Sequence, residues 1–142
     1  WTVQLNEAVL AAPTAVVLVA HSLGCILTAW WASSAPPAVV GKVQAALLVA
    51  PGDVEQADLR QHLPGWAPIA RQRLPFAAVV VGSQNDPYCR LARAQQLAAD
   101  WGAQWVDAGA AGHINSASQL GDWPQGHALL QDLVKDSVHG KR

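Results

Sequence analysis

The chain of 142 residues contains no methionine and only two cysteines, one tyrosine and one phenylalanine. Two cysteines cannot build the disulfide framework of a small secreted domain, so we expect reduced thiols in a cytoplasmic protein. Only 13% of the residues are charged and the formal net charge is -1, which gives no basic surface for nucleic acid or an anionic membrane. No apolar run reaches the roughly 18 residues of a membrane-spanning helix.

Hydrophobic residues are abundant, at 51% of the chain, and seven of them are tryptophans. This composition is typical of a folded globular core, and the length predicts a single domain over 1–142. The chain opens at Trp1 in the middle of an amphipathic pattern, and it has no methionine with which to start. We therefore expect a domain that is truncated at its N-terminus.

Strand and helix patterns alternate along the chain, which predicts the α/β class. Apolar runs predict strands at 15–20, 43–50, 76–82 and 105–106, and helical patterns lie at 1–10, 23–34, 89–101 and 124–138. The runs lack strict apolar–polar alternation, which indicates parallel strands covered on both faces in a three-layer α/β/α sandwich. Residues 53–75 are irregular and rich in proline, a pattern more typical of a functional flap than of a plain connection.

The junction between the first strand and the next helix carries the sequence Ala-His-Ser-Leu-Gly at positions 20–24. This layout is typical of a nucleophile elbow, the sharp turn that exposes a serine hydroxyl at the end of a strand. The usual pattern is Gly-x-Ser-x-Gly, and Ala20 is the smallest substitute for its first glycine. The backbone amide of Leu23 would then help to bind an oxyanion. A serine at a helix start is also a common N-cap, so Ser22 alone leaves both interpretations open.

Two later strand ends carry the partners that a catalytic serine needs. Asp86 follows the third strand and His113 follows the fourth. The chain order Ser, Asp, His is that of the α/β-hydrolases, in which the imidazole accepts the serine proton and the carboxylate orients the imidazole. Taken singly, Asp86 is an ordinary turn former before proline and His113 an ordinary loop histidine. Their joint placement favours a triad of Ser22, His113 and Asp86.

Four further side chains are candidates for a substrate pocket because they precede or flank these loops: His21, Tyr88, Trp66 and Trp123. For His21, local packing and hydrogen bonding is the favoured alternative. The other histidines, His62, His127 and His139, lack acidic or cysteine partners at ligand spacing, so we expect no metal site. No phosphate-binding glycine motif is present, and we expect no cofactor.

Three segments resemble one family of proteins. They are Ala-His-Ser-Leu-Gly-Cys from position 20, Gly-Ser-Gln-Asn-Asp-Pro-Tyr-Cys from position 82, and Gly-His-Ile-Asn-Ser-Ala-Ser-Gln-Leu-Gly-Asp-Trp-Pro-Gln-Gly from position 112. Together they are similar to the YdeN / retinoblastoma-binding-protein-nine group of small serine hydrolases. The resemblance implies an α/β-hydrolase fold without a large cap domain, with Ser22 as nucleophile, Asp86 as orienter and His113 as general base.

The same resemblance implies an esterase or a peptidase, although some members are described chiefly as protein-binding partners. Members carry a further strand and an oxyanion-hole loop ahead of the position of Trp1. We therefore expect a second oxyanion amide in that loop, and an exposed edge on strand 15–20 without the strand.

The sequence predicts a cofactor-free serine hydrolase that cleaves a small ester or amide substrate through an acyl-enzyme. One alternative is a non-catalytic protein-interaction module on the same fold, with 53–75 as its surface. A second, weaker alternative is a thiol enzyme that uses Cys25 or Cys89.

Overall fold

The computed structural model describes residues 2–115, 118 and 123–138. Its strands are β1 (Val16–His21), β2 (Val43–Val49), β3 (Ala77–Gly82) and β4 (Gln104–Asp107). Its helices are α1 (Thr2–Ala11), α2 (Leu23–Ser34), α3 (Pro37–Val40), α4 (Ala57–His62), α5 (Leu91–Trp101) and α6 (Pro124–Val138). Among these described helices, none has the length and apolarity needed to cross a membrane.

The four strands form one parallel sheet in the order β1-β2-β3-β4. The central strands are the most apolar: six residues of β2 and all six of β3 are buried. Parallel strands with both faces covered read as continuous apolar runs, which is why these two segments lack alternation. The prediction of a parallel sheet is confirmed.

Helices cover both faces of the sheet. On one face, Leu48 and Val80 pack in a cluster with residues of α1, α2, α3 and α5. On the other, Leu47 and Val79 pack against Leu133 of α6. The architecture is therefore the three-layer α/β/α sandwich expected from the sequence.

Two short helices lie where the sequence analysis has only turns or irregular chain. Helix α3 begins at Pro37, a residue that suits the first helical position because its missing N–H has no acceptor there. Helix α4 has no buried residue, so no apolar periodicity marks it in the sequence.

The irregular segment 53–75 is fastened to the helices of one face. The indole N–H of Trp30, on α2, donates to the carbonyl oxygen of Pro68 at 3.0 Å. The indole of Trp101, on α5, donates to the carbonyl of Ala70 at 2.7 Å. Two tryptophans thus supply the donors that this stretch of backbone does not find in a sheet.

A charged cluster centred on Glu55 completes this attachment. Its carboxylate accepts a hydrogen bond from the Ile69 amide at 2.9 Å and pairs with the guanidinium groups of Arg71 and Arg93. Burial by itself would raise the pKa of Glu55, but the amide and the two guanidiniums together hold that pKa below its usual range. The segment is therefore joined to α5 by charge as well as by backbone hydrogen bonds.

Because valines in the sheet differ in burial, we expect the same valine-to-alanine substitution to change the free energy of unfolding by different amounts at two positions. Val80 on β3 is fully buried, whereas Val19 on β1 is 61% exposed. Val80→Ala should lower the free energy of unfolding by about 2 kcal/mol or more, since it removes two buried methyl groups and leaves a cavity. Val19→Ala should change it by less than about 0.5 kcal/mol. Urea unfolding of both variants measures the difference, and equal losses would contradict the burial described.

Candidate active site

Ser22 lies between the last residue of β1 and the first residue of α2, with φ 58° and ψ −117°. A positive φ in a residue with a side chain costs about 1–3 kcal/mol, so this turn persists only because the strand and helix around it are fixed. Ser22 occupies the N-cap position of α2, yet its side chain makes no capping hydrogen bond. The N-cap alternative therefore does not account for its hydroxyl.

Two glycines lie beside the elbow. A Cβ atom added at Gly24 would lie 3.5 Å from the Cβ of Ala20, an ordinary van der Waals distance. Alanine at position 20 is thus accommodated where the usual pattern has glycine. On the open side of the turn, a Cβ added at Gly52 would lie 3.6 Å from Ser22 Oγ. A glycine at this position leaves space beside the hydroxyl.

The hydroxyl of Ser22 lies in a continuous hydrogen-bonded row with two other side chains. His113 Nε2 is 2.9 Å from Ser22 Oγ, and His113 Nδ1 is 3.0 Å from both carboxylate oxygens of Asp86. The side chains of His113 and Asp86 are 8% and 3% exposed. Because a carboxylate only accepts hydrogen bonds, Nδ1 carries the proton and Nε2 is free to accept the serine proton. The structure thus brings together the three residues that the sequence analysis singled out.

The loops that carry Asp86 and His113 follow adjacent parallel strands, β3 and β4. Asp86 Oδ1 also accepts the backbone N–H of Tyr88 at 2.9 Å, which fixes the carboxylate relative to its own loop. His113 lies between Gly112 and Ile114, whose φ angles are 62° and 51°. The histidine is therefore presented by a backbone that would not adopt this shape unaided.

Two aromatic rings flank the imidazole of His113. The ring centroids of His21 and Tyr88 each lie 4.7 Å from that of His113, at interplanar angles of 59° and 65°. In addition, His21 Nε2–H donates to the backbone carbonyl of His113 at 2.7 Å. The sequence favours local packing and hydrogen bonding for His21, and in the structure this hydrogen bond goes to a residue 92 positions along the chain.

A cleft of about 450 Å³ opens beside His113. Its lining includes Tyr88 and Asn85 from the loop after β3, and Ala111 and Gly112 from the loop after β4. Of the four pocket candidates, the structure thus places Tyr88 on this cleft and His21 against the same imidazole.

The other two candidates pack elsewhere. The ring of Trp66 stacks on Trp30 of α2, with centroids 5.6 Å apart. Trp123 packs with the cluster that joins the sheet to α6. A Cβ added at Gly126 would overlap its indole, which shows how closely Trp123 lies on the first turn of that helix.

Leu23, the predicted oxyanion donor, is the first residue of α2. The N–H groups in the first turn of a helix have no acceptor within the helix, and the helix dipole places partial positive charge there. The amide of Leu23 follows Ser22 directly, and its role as an oxyanion donor stays a prediction.

Both cysteines are free thiols buried in the protein. Cys25 Sγ lies 3.4 Å from the carbonyl of Val49, and burial raises the pKa of its thiol far above the usual range. Burial, together with the nearby carboxylates of Asp53 and Asp86, raises the pKa of Cys89 to about 12. Neither thiol is therefore ionised near neutral pH, and this disfavours the thiol-enzyme alternative.

Within residues 2–115, 118 and 123–138, no three His, Cys, Asp or Glu side chains group as metal ligands would. His139 lies outside these described residues.

Two residues near the site were not singled out from the sequence. Ser83 and Asn85 bond to the backbone just before His113. Serine and asparagine are common turn residues, so their types alone do not indicate a role. Their role becomes visible only when the structure places the loop after β4 beside them.

Comparison with known proteins gives one family match. A model of the family described as serine hydrolase matches residues 1–132. Comparison with curated proteins found no match.

Several solved structures share the fold. A YdeN-like hydrolase from Pectobacterium atrosepticum superposes with a TM-score of 0.81 at 24% identity, covering 96% of this chain and 69% of its own. A hydrolase of the alpha/beta superfamily from Xanthomonas campestris gives a TM-score of 0.62 at 21% identity, covering 93% and 68%. The Bacillus cereus carboxylesterase gives 0.52 at 17% identity, covering 85% and 58%. At these identities the likeness establishes the α/β-hydrolase fold.

The buried thiols predict low reactivity toward alkylating agents. Iodoacetamide at neutral pH should modify Cys25 and Cys89 at least about 100-fold more slowly in the native protein than after unfolding, since both are protonated and inaccessible. Peptide mass spectrometry with time measures both rates. Rapid alkylation of either native thiol, with loss of function, would restore the thiol-enzyme alternative.

Proposed function

The chain belongs to the serine hydrolase family, and from that premise we propose that it cleaves a small ester or amide substrate through an acyl-enzyme on Ser22. In this proposal His113 is the general base and Asp86 orients its imidazole. The observation that carries the assignment is the unbroken row of hydrogen bonds from Ser22 Oγ through both nitrogens of His113 to the carboxylate.

The proposed reaction begins at Ser22. As its oxygen attacks the substrate carbonyl carbon, the hydroxyl proton passes to His113 Nε2 and the carbonyl oxygen becomes an oxyanion. The amide of Leu23 and the N-terminus of α2 stabilise that charge. Asp86 stabilises the imidazolium, which lies close to it in a mostly buried position.

Collapse of this intermediate breaks the bond to the leaving group, which takes the proton from His113 Nε2. The acyl group remains on Ser22 as an ester. A water molecule then gives a proton to the neutral imidazole and attacks the acyl carbon, and the second collapse returns that proton to Ser22. Each half-reaction leaves the charges on His113 and Asp86 as they were.

The cleft beside His113 is the proposed site for the part of the substrate that leaves first. It adjoins the imidazole that must protonate the leaving group, and Tyr88 offers a half-exposed aromatic ring at its side. Its described lining combines amide, hydroxyl and backbone groups with an aromatic ring. An uncharged ester or amide suits this mixture of groups. One of the solved structures that share the fold is a carboxylesterase.

Covalent labelling tests the nucleophile. A fluorophosphonate probe should label the full-length protein, and Ser22→Ala should abolish both labelling and the hydrolysis of a p-nitrophenyl ester. Loss of a triad serine lowers kcat by about 10⁴- to 10⁶-fold in well-studied enzymes.

Ser33→Ala is the matched control, because Ser33 lies on the same helix and its hydroxyl donates only to the carbonyl of Trp30. It should leave labelling intact. A folded wild-type protein that takes up no probe would favour the non-catalytic interaction module.

The pH dependence tests the base. The rate should fall on the acidic side of the profile, because a protonated imidazole cannot accept the serine proton. Steady-state rates of ester hydrolysis between pH 4 and pH 9, with circular dichroism at each pH to exclude unfolding, measure this. A rate that stays constant down to pH 4 would contradict a histidine base.

A further inference from the structure

The loops after β3 and β4 are joined by two side chains that take no part in the proposed proton transfers. Ser83, 2% exposed, accepts the backbone N–H of Ala111 at 2.9 Å and donates its own hydroxyl proton to Asn85 Oδ1 at 3.0 Å. Asn85 Oδ1 also accepts the N–H of Gly112 at 2.7 Å. The two consecutive amides that precede His113 are thus both held by the loop that carries Asp86.

The backbone at His113 requires such support. Gly112 and Ile114, on either side of it, have φ angles in the left-handed region, which a β-branched residue such as Ile114 rarely adopts. Hydrogen bonds within the loop, such as that from the Ile114 amide to the Ala111 carbonyl at 3.2 Å, and contacts from outside it together support this conformation. The bonds from Ser83 and Asn85 act within two residues of the imidazole.

The backbone donors determine which atoms of Ser83 and Asn85 accept hydrogen bonds and which donate them. Because the backbone atoms in the two bonds are the N–H groups of Ala111 and Gly112, Ser83 Oγ and Asn85 Oδ1 must both accept. The one proton of Ser83 then goes to Asn85 Oδ1 and turns the amide so that its oxygen, and not its nitrogen, faces Gly112. The two side chains form a series in which Ser83 orients Asn85 and Asn85 holds Gly112.

We propose that Ser83 and Asn85 are positioning residues that hold the imidazole of His113 at bonding distance from Ser22. The inference rests on the proposed function. Its physical basis is that a misplacement of a catalytic group by about 1 Å can cost about 100-fold in rate. Neither residue touches the reacting atoms, so the loss should appear in kcat. Ser83 is buried, so Ser83→Ala should leave KM nearly unchanged. Asn85 also lines the cleft beside His113, so the kcat of Asn85→Ala, and not its KM, measures the positioning role.

Four variants of the full-length protein test this proposal. Asn85→Ala should lower kcat for a p-nitrophenyl ester by about 10- to 100-fold, with kcat expressed per serine titrated with fluorophosphonate. Asn85→Asp keeps an acceptor oxygen at the same place and should retain most of the wild-type kcat. Ser83→Ala should lower kcat as well, and the double variant should lose less than the product of the two single losses, because the residues act in series.

Gln84→Ala is the matched control. Gln84 lies between the two residues, is exposed like Asn85, and also bridges to β4, where its amide donates at 3.1 Å to Oδ2 of Asp107, the last residue of that strand. This side-chain contact holds neither of the two amides that precede His113, so the variant should keep wild-type kcat. Equal losses in Gln84→Ala and Asn85→Ala would overturn the proposal, as would wild-type kcat per titrated serine in Asn85→Ala.

A spectroscopic measurement separates this inference from the proposed function. The proton between His113 Nδ1 and Asp86 should give a downfield ¹H resonance, which its loss in His113→Gln would assign. Asn85→Ala should shift or broaden it, and Gln84→Ala should not. If the wild-type protein takes up no fluorophosphonate, the proposed function fails and this resonance alone decides the positioning role. An unchanged resonance in Asn85→Ala would overturn that role.

Discussion

The parallel pairing of the four strands is the constraint on which the rest of the structure depends. Parallel strands end at one edge of the sheet, so the loops that follow β1, β3 and β4 all emerge at that edge. The imidazole nitrogens of His113 therefore lie within about 3 Å of the Ser22 hydroxyl and of the Asp86 carboxylate, although 91 positions separate His113 from Ser22. The apolar burial of β2 and β3 supplies the free energy that maintains this pairing.

That stabilisation offsets backbone strain at the same edge. Ser22 and Ile114 both have positive φ angles. Each positive φ costs about 1–3 kcal/mol relative to a favoured backbone conformation. The strand before Ser22 and the helix after it fix the first, and the hydrogen bonds to Ala111 and Gly112 support the second. Of the positive-φ residues other than glycine in the described part of the chain, Ser22 is thus the proposed nucleophile and Ile114 adjoins the proposed base, whereas Ala50 follows β2 at the same edge without such a role.

Most of the fold could be predicted from the sequence because the apolar runs are long and the helices that pack on them are periodic. Helix α2 has the predicted bounds, and the class and layering are as expected. Helix α4 was missed because it buries nothing, and α3 because the Pro36-Pro37 pair reads as a helix end. For the site, three strand ends and a chain order were enough to name Ser22, Asp86 and His113. The bond from His21 to the carbonyl of His113 and the links from Ser83 and Asn85 depend on how two loops meet, which no local pattern encodes.

The difference between Ser22 and Cys25 shows that placement, and not intrinsic reactivity, determines which group can act. A thiolate is the better nucleophile, and Cys25 is only three residues beyond Ser22. Those three residues turn its side chain into the core, where it lies against the carbonyl of Val49 and burial keeps the thiol protonated. The hydroxyl of Ser22 lies instead at the end of the strand, beside an imidazole and at the positive end of a helix. A substitution that exchanged the two side chains would therefore place a thiol next to His113 and leave a serine hydroxyl in the core, and only the first position offers a base.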